Sequence, residues 1–534
     1  MKEYDTGGDR ASQREEWIPT RRTVLRGGAV LVGLGIALSA CGGPRTVGST
    51  QQVTGPPQKG GTLRVGFVGG GASDTLDGAV ATNLGDIARA INMYDTLMYR
   101  DDDYELRPML ATSITPNSDA TVWTATLRSD VKFSDGRQMT ADDVVASIER
   151  IIDPEDPKNG AAGLAALDEV VAIDDATVEF RLSTPDSTLD DSLAQYSNPI
   201  VPADFDPKMP VGTGPFMLSS FVPAQLTVLE ANPHYWGDEG PYLDTIELLN
   251  FNDTDALINA LLSTQVDVVA QIPAALSEVI ASDTRMRVLE SETGMWLPFT
   301  MRSDVAPFDD ERVRQAFRLA ADRDQMINQV LSGHGQVGND MYGLYDPAYP
   351  EFPQRTQDIA EAKRLLAEAG YPDGLEVELV TAPIQAGVVE AAQVYAEQAA
   401  KAGITVKIKR MDLTSYWGGY LDYPFSQSFW YTRNFLPQAN QGSMPDSPFN
   451  ESHWDDDEFV DLVKQARAET DQAARNELIE QAQRVLYDRG SLIIWGFANQ
   501  LDAYQYYVGG LVPNATGLPL SGFQLHRVWI GDPS

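Results

Sequence analysis

Residues 122–150 read VWTATLRSDVKFSDGRQMTADDVVASIER, and this run carries a strand, a turn and a capped helix in succession. Val122, Thr124 and Thr126 alternate with Trp123, Ala125 and Leu127, the period of two expected of a half-buried strand. Asp135-Gly136 suits a hairpin-type turn, because glycine enters the left-handed region without a Cβ clash. From Thr140 the period lengthens. Thr140 can serve as an N-cap, Asp142 and Asp143 suit the positive end of a helix, and Val144, Ile148 and Ile151 make one apolar face.

The same alternation of strands and helices extends on both sides. Leu63, Val65 and Phe67 alternate with Arg64 and Gly66, which predicts another half-buried strand, as do residues 178–182 and 246–251. Downstream, Ile359, Ala362, Leu365, Leu366 and Ala369 lie at helical spacing. Gly370 follows at the C′ position and Pro372 just beyond it. Residues 375–379 alternate as a strand, 388–402 are helical, and 404–408 alternate again. Strand, helix and strand at these lengths predict a βαβ unit with a parallel pair. A helical stretch over 459–486 and an apolar strand over 492–495 follow. No repeat of 20–50 residues points to a solenoid or propeller.

The chain has 534 residues, 43% hydrophobic, with a formal net charge of −37. Such a length predicts more than one compact unit, since single cores stop growing at roughly 250–300 residues. A polyanion of this strength excludes nucleic acid as a partner, because phosphate contacts need clustered Lys and Arg. One cysteine and four histidines exclude a disulfide framework and make no case for a metal or other cofactor.

The N-terminus has a different character. Arg21, Arg22 and Arg26 precede an uncharged run from Gly27 to Ala40, too short for a ~30 Å hydrocarbon core. This reads as a signal peptide over residues 1–40. Its adjacent arginines resemble a twin-arginine export signal, with a general secretory signal as the alternative. Leu38-Ser39-Ala40-Cys41 resembles a bacterial lipoprotein processing box, and it holds the chain's only cysteine. Cys41 is therefore expected to carry lipid. Residues 41–58, rich in Gly, Pro, Ser and Thr, read as a tether reaching roughly 20–25 Å. Without residues 1–40 the chain keeps 34 basic and 72 acidic side chains, net −38, so acyl chains rather than charge must hold it to a membrane.

Several blocks, in order, resemble the solute-binding proteins of family 5, receptors of peptide and nickel ABC importers. Beyond residues 122–150 they are Val211-Gly212-Thr213-Gly214-Pro215-Phe216, Asn232-Pro233-His234-Tyr235-Trp236-Gly237 and residues 308–324, FDDERVRQAFRLAADRD. Lesser matches fall at 362–374, 403–409 and 461–495. The resemblance implies an α/β, two-lobed periplasmic-binding-protein-like fold of type II. It belongs to the large cluster with an extra subdomain, mixed sheets and two hinge strands. Lobe I would hold 59–295 and return at 499–534, and lobe II would hold 296–498. The implied function is capture of an oligopeptide, dipeptide or similar solute in an interlobe cleft. Delivery would be to ABC permease subunits with their ATPases, by a monomer at the outer face of the cell membrane (periplasm or cell-envelope surface). A receptor for an anionic non-peptide solute or a nickel chelate is the alternative within the fold. A secreted glycoside hydrolase using two carboxylates is the alternative outside it, and the resemblance argues against an enzyme.

In peptide-binding members of the family a Trp is followed within a few residues by an acid that pairs with the peptide α-ammonium. The corresponding stretch here is Phe429-Trp430-Tyr431-Thr432-Arg433-Asn434. Arg433 stands where the acid is expected, and a guanidinium favours carboxylate and repels ammonium. Asp422 could supply the acid instead. Candidate ligand-binding residues are Trp296, Tyr416, Trp417, Trp430, Tyr431, Arg433, Asn434 and Trp495; most are aromatics offering rigid apolar faces, and core packing is the competing role for each. His453 with Asp455, Asp456 and Asp457 reads as a loop and a helix start rather than a metal site. Gly69-Gly70-Gly71 reads as a plain loop, without the Lys-Ser/Thr of a phosphate loop. Asp101-Asp102-Asp103 reads as solvated turn charge.

Overall fold

The computed structural model describes residues 55–531. The signal peptide, Cys41 and most of the tether lie outside the described residues. Two mixed sheets form the cores of two lobes. The larger runs in the order Met286–Trp296, Gly496–Gln505, Val268–Val269, Thr62–Val68, Thr245–Phe251, Leu226–Ala231, Phe216–Val222, with Gly335–Val337 paired to Gly496–Gln505. The smaller runs Ile404–Arg410, Leu375–Thr381, Phe425–Gln427, Phe299–Met301, Leu492–Ile493. The chain passes from one sheet to the other at residues 296–299 and returns at 493–496.

Thr62–Val68 is more deeply placed than a half-buried strand. It pairs in parallel with both Thr245–Phe251 and Val268–Val269, so both of its edges are paired, and Gly66 is buried along with Leu63, Val65 and Phe67. Gly66 makes this possible, because a Cβ there would come 2.5 Å from Leu257 Cδ1. Alternation of Arg64 and Gly66 with apolar residues looks like one wet face, yet one of the two is a space-saving residue.

Residues 122–150 fold as their pattern predicts. Val122–Leu127 is an inner strand of an antiparallel four-stranded sheet with Ala111–Pro116, Thr177–Leu182 and Leu167–Asp174, the extra subdomain beside the larger sheet. Gly136 has φ +88° in a turn closed by the Phe133 N–H to the Arg137 carbonyl at 2.9 Å. Helix Ala141–Ile152 buries Val144, Ile148 and Ile151. The Asp143 carboxylate accepts the Thr140 N–H at 2.9 Å, which satisfies one of the helix's unpaired donors.

The other blocks are scaffold joints. Asp95, 1% exposed, accepts the Thr213 hydroxyl at 2.9 Å and the Trp236 indole N–H at 2.8 Å, so one carboxylate ties two of the blocks together. Burial pushes its carboxyl up to about 6. Gly212 and Gly214 lie against Met93, whose carbonyl oxygen a Cβ at Gly212 would meet at 2.1 Å. In residues 308–324, Asp310 and Asp322 cap the successive helices Glu311–Ala320 and Arg323–Val330.

The second lobe contains the βαβ unit, with Leu375–Thr381 parallel to Ile404–Arg410 and Val388–Lys401 between them. Its core is aromatic, with Phe299 4.6 Å from Tyr395 and Phe308 5.3 Å from Phe425 between ring centroids. Two expectations are corrected here. Residues 459–486 are not one helix but two, Asp457–Ala468 and Gln472–Arg489, because Asp471 turns to cap the second by accepting the Ala474 N–H at 2.9 Å. The apolar run at 492–495 is a strand only over Leu492–Ile493, because the Ile494 N–H is taken by the Asp340 carboxylate at 3.0 Å.

Candidate functional site

Near the place where the chain crosses between the sheets lies a cavity of about 110 Å³. The first lobe supplies Tyr99, Arg100, Tyr104 and Tyr196, and the second supplies Tyr431, Thr432 and Arg433. Residues of the C-terminal segment, including Asn514, Thr516 and Gln524, complete the lining.

Residues 430–433 are held on three sides. Trp430 and Trp296 exchange backbone hydrogen bonds, both at 3.0 Å. The Thr432 hydroxyl donates to the Ala515 carbonyl at 2.6 Å and accepts the Gly294 N–H at 2.9 Å. The Tyr104 hydroxyl donates to the Thr432 carbonyl at 2.7 Å. This segment is therefore fixed to the crossing strand, to the C-terminal segment and to the opposite lobe at once.

Arg433 has a buried Nε without a hydrogen-bond partner, and its guanidinium sits 5.3 Å from the Trp430 ring centroid, within cation–π range. Burial lowers its pKa from the ordinary guanidinium value, against the opposing effect of Tyr196, Tyr104, Asp191 and Tyr431. Arg100 is in a different state: it pairs with Asp191 at 2.6 Å and lies 4.7 Å from the Tyr104 ring centroid. Burial pushes the phenols of Tyr104, Tyr196 and Tyr431 above their ordinary value, so they stand as neutral hydroxyls able to donate.

Contacts between the lobes flank the cavity. Arg467 pairs with Asp186 at 2.5 Å, the Asn440 side-chain amide donates to the Ala162 carbonyl at 2.9 Å, and that of Asn434 donates to Asp191 at 3.3 Å. They tie the first lobe to the second.

Of the candidates named from sequence, Tyr431 and Arg433 line the cavity. Trp430 packs beneath Arg433, and Asn434 is the N-cap residue of helix Phe435–Gly442. Trp296, Tyr416 and Trp495 are buried in the cores, and Trp417 is 43% exposed, packed against Tyr416 and Tyr420. Asp422 is exposed and does not line the cavity. His453 lies 3.2 Å from Asp304, and Asp456 caps the following helix; among the described residues no group of His, Cys, Asp and Glu could hold a metal. Gly69 and Gly70 take positive φ in a loop. Asp102 is more than turn charge: it pairs with Arg527 at 2.7 Å and accepts the Asn514 amide at 2.8 Å.

Sequence reasoning missed the first-lobe side of the cavity. Tyr99, Arg100, Tyr104 and Tyr196 sit in two stretches about ninety residues apart. No local pattern marks them, since residues 99–107, YRDDDYELR, hold as many acidic side chains as Arg and Tyr together.

The family model described as "Bacterial extracellular solute-binding proteins, family 5 Middle" matches residues 105–450. Protein XP55 of Streptomyces lividans is 29% identical over 438 residues, 74% of this chain and 75% of that protein. The dipeptide-binding protein of Escherichia coli (strain K12) is 27% identical over 489 residues, 80% of this chain and 88% of that protein. Among solved structures, AgaA of A. tumefaciens R10 in complex with agropinic acid has a TM-score of 0.78 at 27% identity, covering 89% of this chain and 99% of that one. With its two mixed sheets, its extra antiparallel subdomain and a cavity lined from both lobes, the chain belongs to the bacterial extracellular solute-binding proteins of family 5.

Proposed function

We propose that this chain is the lipid-anchored solute receptor of an ABC importer, capturing a short peptide or similar small solute between its lobes and presenting it to the permease and its ATPases. The observation that carries this reading is the cavity lined from both sides of the crossing strands, with Tyr104 of one lobe bonded to Thr432 of the other. The relatives named for dipeptide binding and solved with agropinic acid support a small polar ligand. Solute stabilises the closed arrangement because only there do both lobes touch it, which shifts an open–closed equilibrium. The lobes are taken as 59–295 and 296–498, and the place of Gly496–Gln505 in the larger sheet supports a return a few residues before 499.

Native mass spectrometry of the exported chain, purified from its host in mild detergent without refolding, tests the capture reading. A mass increment released on unfolding is expected, and its fragments identify the solute. A series of peptide masses would support peptide, and a single non-peptide mass would exclude it. The anchor is tested separately. Cys41→Ser is expected to move the protein from the membrane fraction to the soluble one, and persistence in carbonate-washed membranes would remove the lipid from the reading.

A further inference from the structure

Building on that capture reading, we propose that the solute is a compact carboxylate whose anionic group is received by Arg433, with the hydroxyls of Tyr196 and Tyr431 as flanking donors. The charge inventory of the cavity leads there. Arg100 is compensated by Asp191 at 2.6 Å. Asp95 is occupied by Thr213 and Trp236. Arg433 alone is left over: among the described residues its guanidinium has no ion pair and no hydrogen bond, and its Nε is buried. A charge withdrawn from water without a partner is unfavourable, and the enclosed site favours whatever anion restores the pairing.

The surroundings define that anion further. Tyr196 and Tyr431 line the same cavity, and among the described residues their hydroxyls have no hydrogen-bond partner. One cation and two neutral donors balance a single negative charge. The Trp430 ring beneath Arg433 restricts where the guanidinium can swing, and Trp430 is itself tied to Trp296 through the backbone. An ammonium group in this position meets repulsion. The volume of about 110 Å³ favours a small solute.

The test uses matched pairs of probes on the full exported chain: dialanine, N-acetyl-dialanine and pyroglutamate, each beside its C-terminal amide, with binding read by calorimetry. The carboxylates are expected to bind and the amides to bind roughly ten- to a hundredfold more weakly, the range of a charge-assisted pair. Arg433→Gln is expected to erase that difference and Arg433→Lys to retain part of it. Tyr196→Phe with Tyr431→Phe, which leaves the packing rings in place, should narrow it without erasing it. Amides that bind as tightly as the acids overturn the carboxylate class. So does a chain that releases a native solute with no acidic group, and that result leaves capture standing. If the chain holds no native solute and takes none of the probes at millimolar concentration, capture and carboxylate readings fall together.

Discussion

Asp340→Ala is expected to destabilise the protein by about 3–5 kcal/mol, the range for removing one partner of a buried ion pair, with chemical denaturation as the measurement. Asp340 is fully buried and lies among three arginines. Arg323 Nη2 donates to both of its oxygens, at 2.8 and 2.7 Å, Arg355 bonds it from the side, and Arg318 lies at 3.8 Å. Arg318 in turn reaches the carbonyls of Leu486, Tyr487 and Gly490, at 2.9, 2.7 and 3.1 Å, where the negative end of helix Gln472–Arg489 offers partial compensation. Removing the only carboxylate leaves guanidiniums facing one another in a dry interior. It also frees the Ile494 N–H at the second crossing between the lobes. Burial by itself would push the Asp340 carboxyl up, but Arg323, Arg355 and Arg318 hold it below the usual carboxylate range. A depressed carboxylate contributes stability above its unfolded value, near 3.9, and loses it as pH falls through the lower folded value. The gap between wild type and variant should therefore be full at neutral pH and shrink below about pH 4. A gap that stays constant down to strongly acid pH would mean that the ion pairs are not its source.

Trp296→Ala is expected to cost about 3–5 kcal/mol, the range for emptying a large aromatic site. Trp296 is 2% exposed and forms the middle of a stack, with Tyr342 at 5.6 Å and Trp430 at 6.1 Å between centroids. Tyr342 continues the stack to Phe435 at 5.3 Å. No neighbour can collapse into the gap without breaking its own stack, so the cavity term adds to the lost burial. Trp417→Ala, on an aromatic 43% exposed, should cost about 1 kcal/mol or less. Equal losses at the two positions in denaturation curves would contradict the core assignment of Trp296.

These two tryptophans show how far sequence reasoning reached into the site. Both are candidate cleft aromatics by sequence, because a rigid apolar face can serve a cleft or a core. Burial separates them, and for Trp296 it depends on partners from far along the chain, Tyr342 and Trp430, whereas Trp417 packs against the nearby Tyr420 and Phe429. Arg433 was legible for a different reason. It breaks a local pattern, a Trp followed by an acid, and a departure of that kind is visible in one dimension. Of the two tyrosines lining the cavity with it, Tyr431 is among the residues named from sequence, and Tyr196, more than two hundred residues away, is not.

Local order was written in short runs. Thr140 and Asp143 cap the helix that follows them, Asp135-Gly136 makes its turn, and residues 375–408 make their parallel pair, because each depends on neighbours within a few residues or on one period of apolar side chains. The overall architecture followed from the order of such blocks. Tertiary structure alone decided the rest. Asp95 joins Thr213 to Trp236, Asp340 gathers Arg318, Arg323 and Arg355, and Tyr104 reaches across to Thr432. Each of these is a buried polar group whose pairing is compulsory once water is excluded. Which partner meets that need is settled by where the backbone folds back, a long-range fact that no short stretch of residues contains.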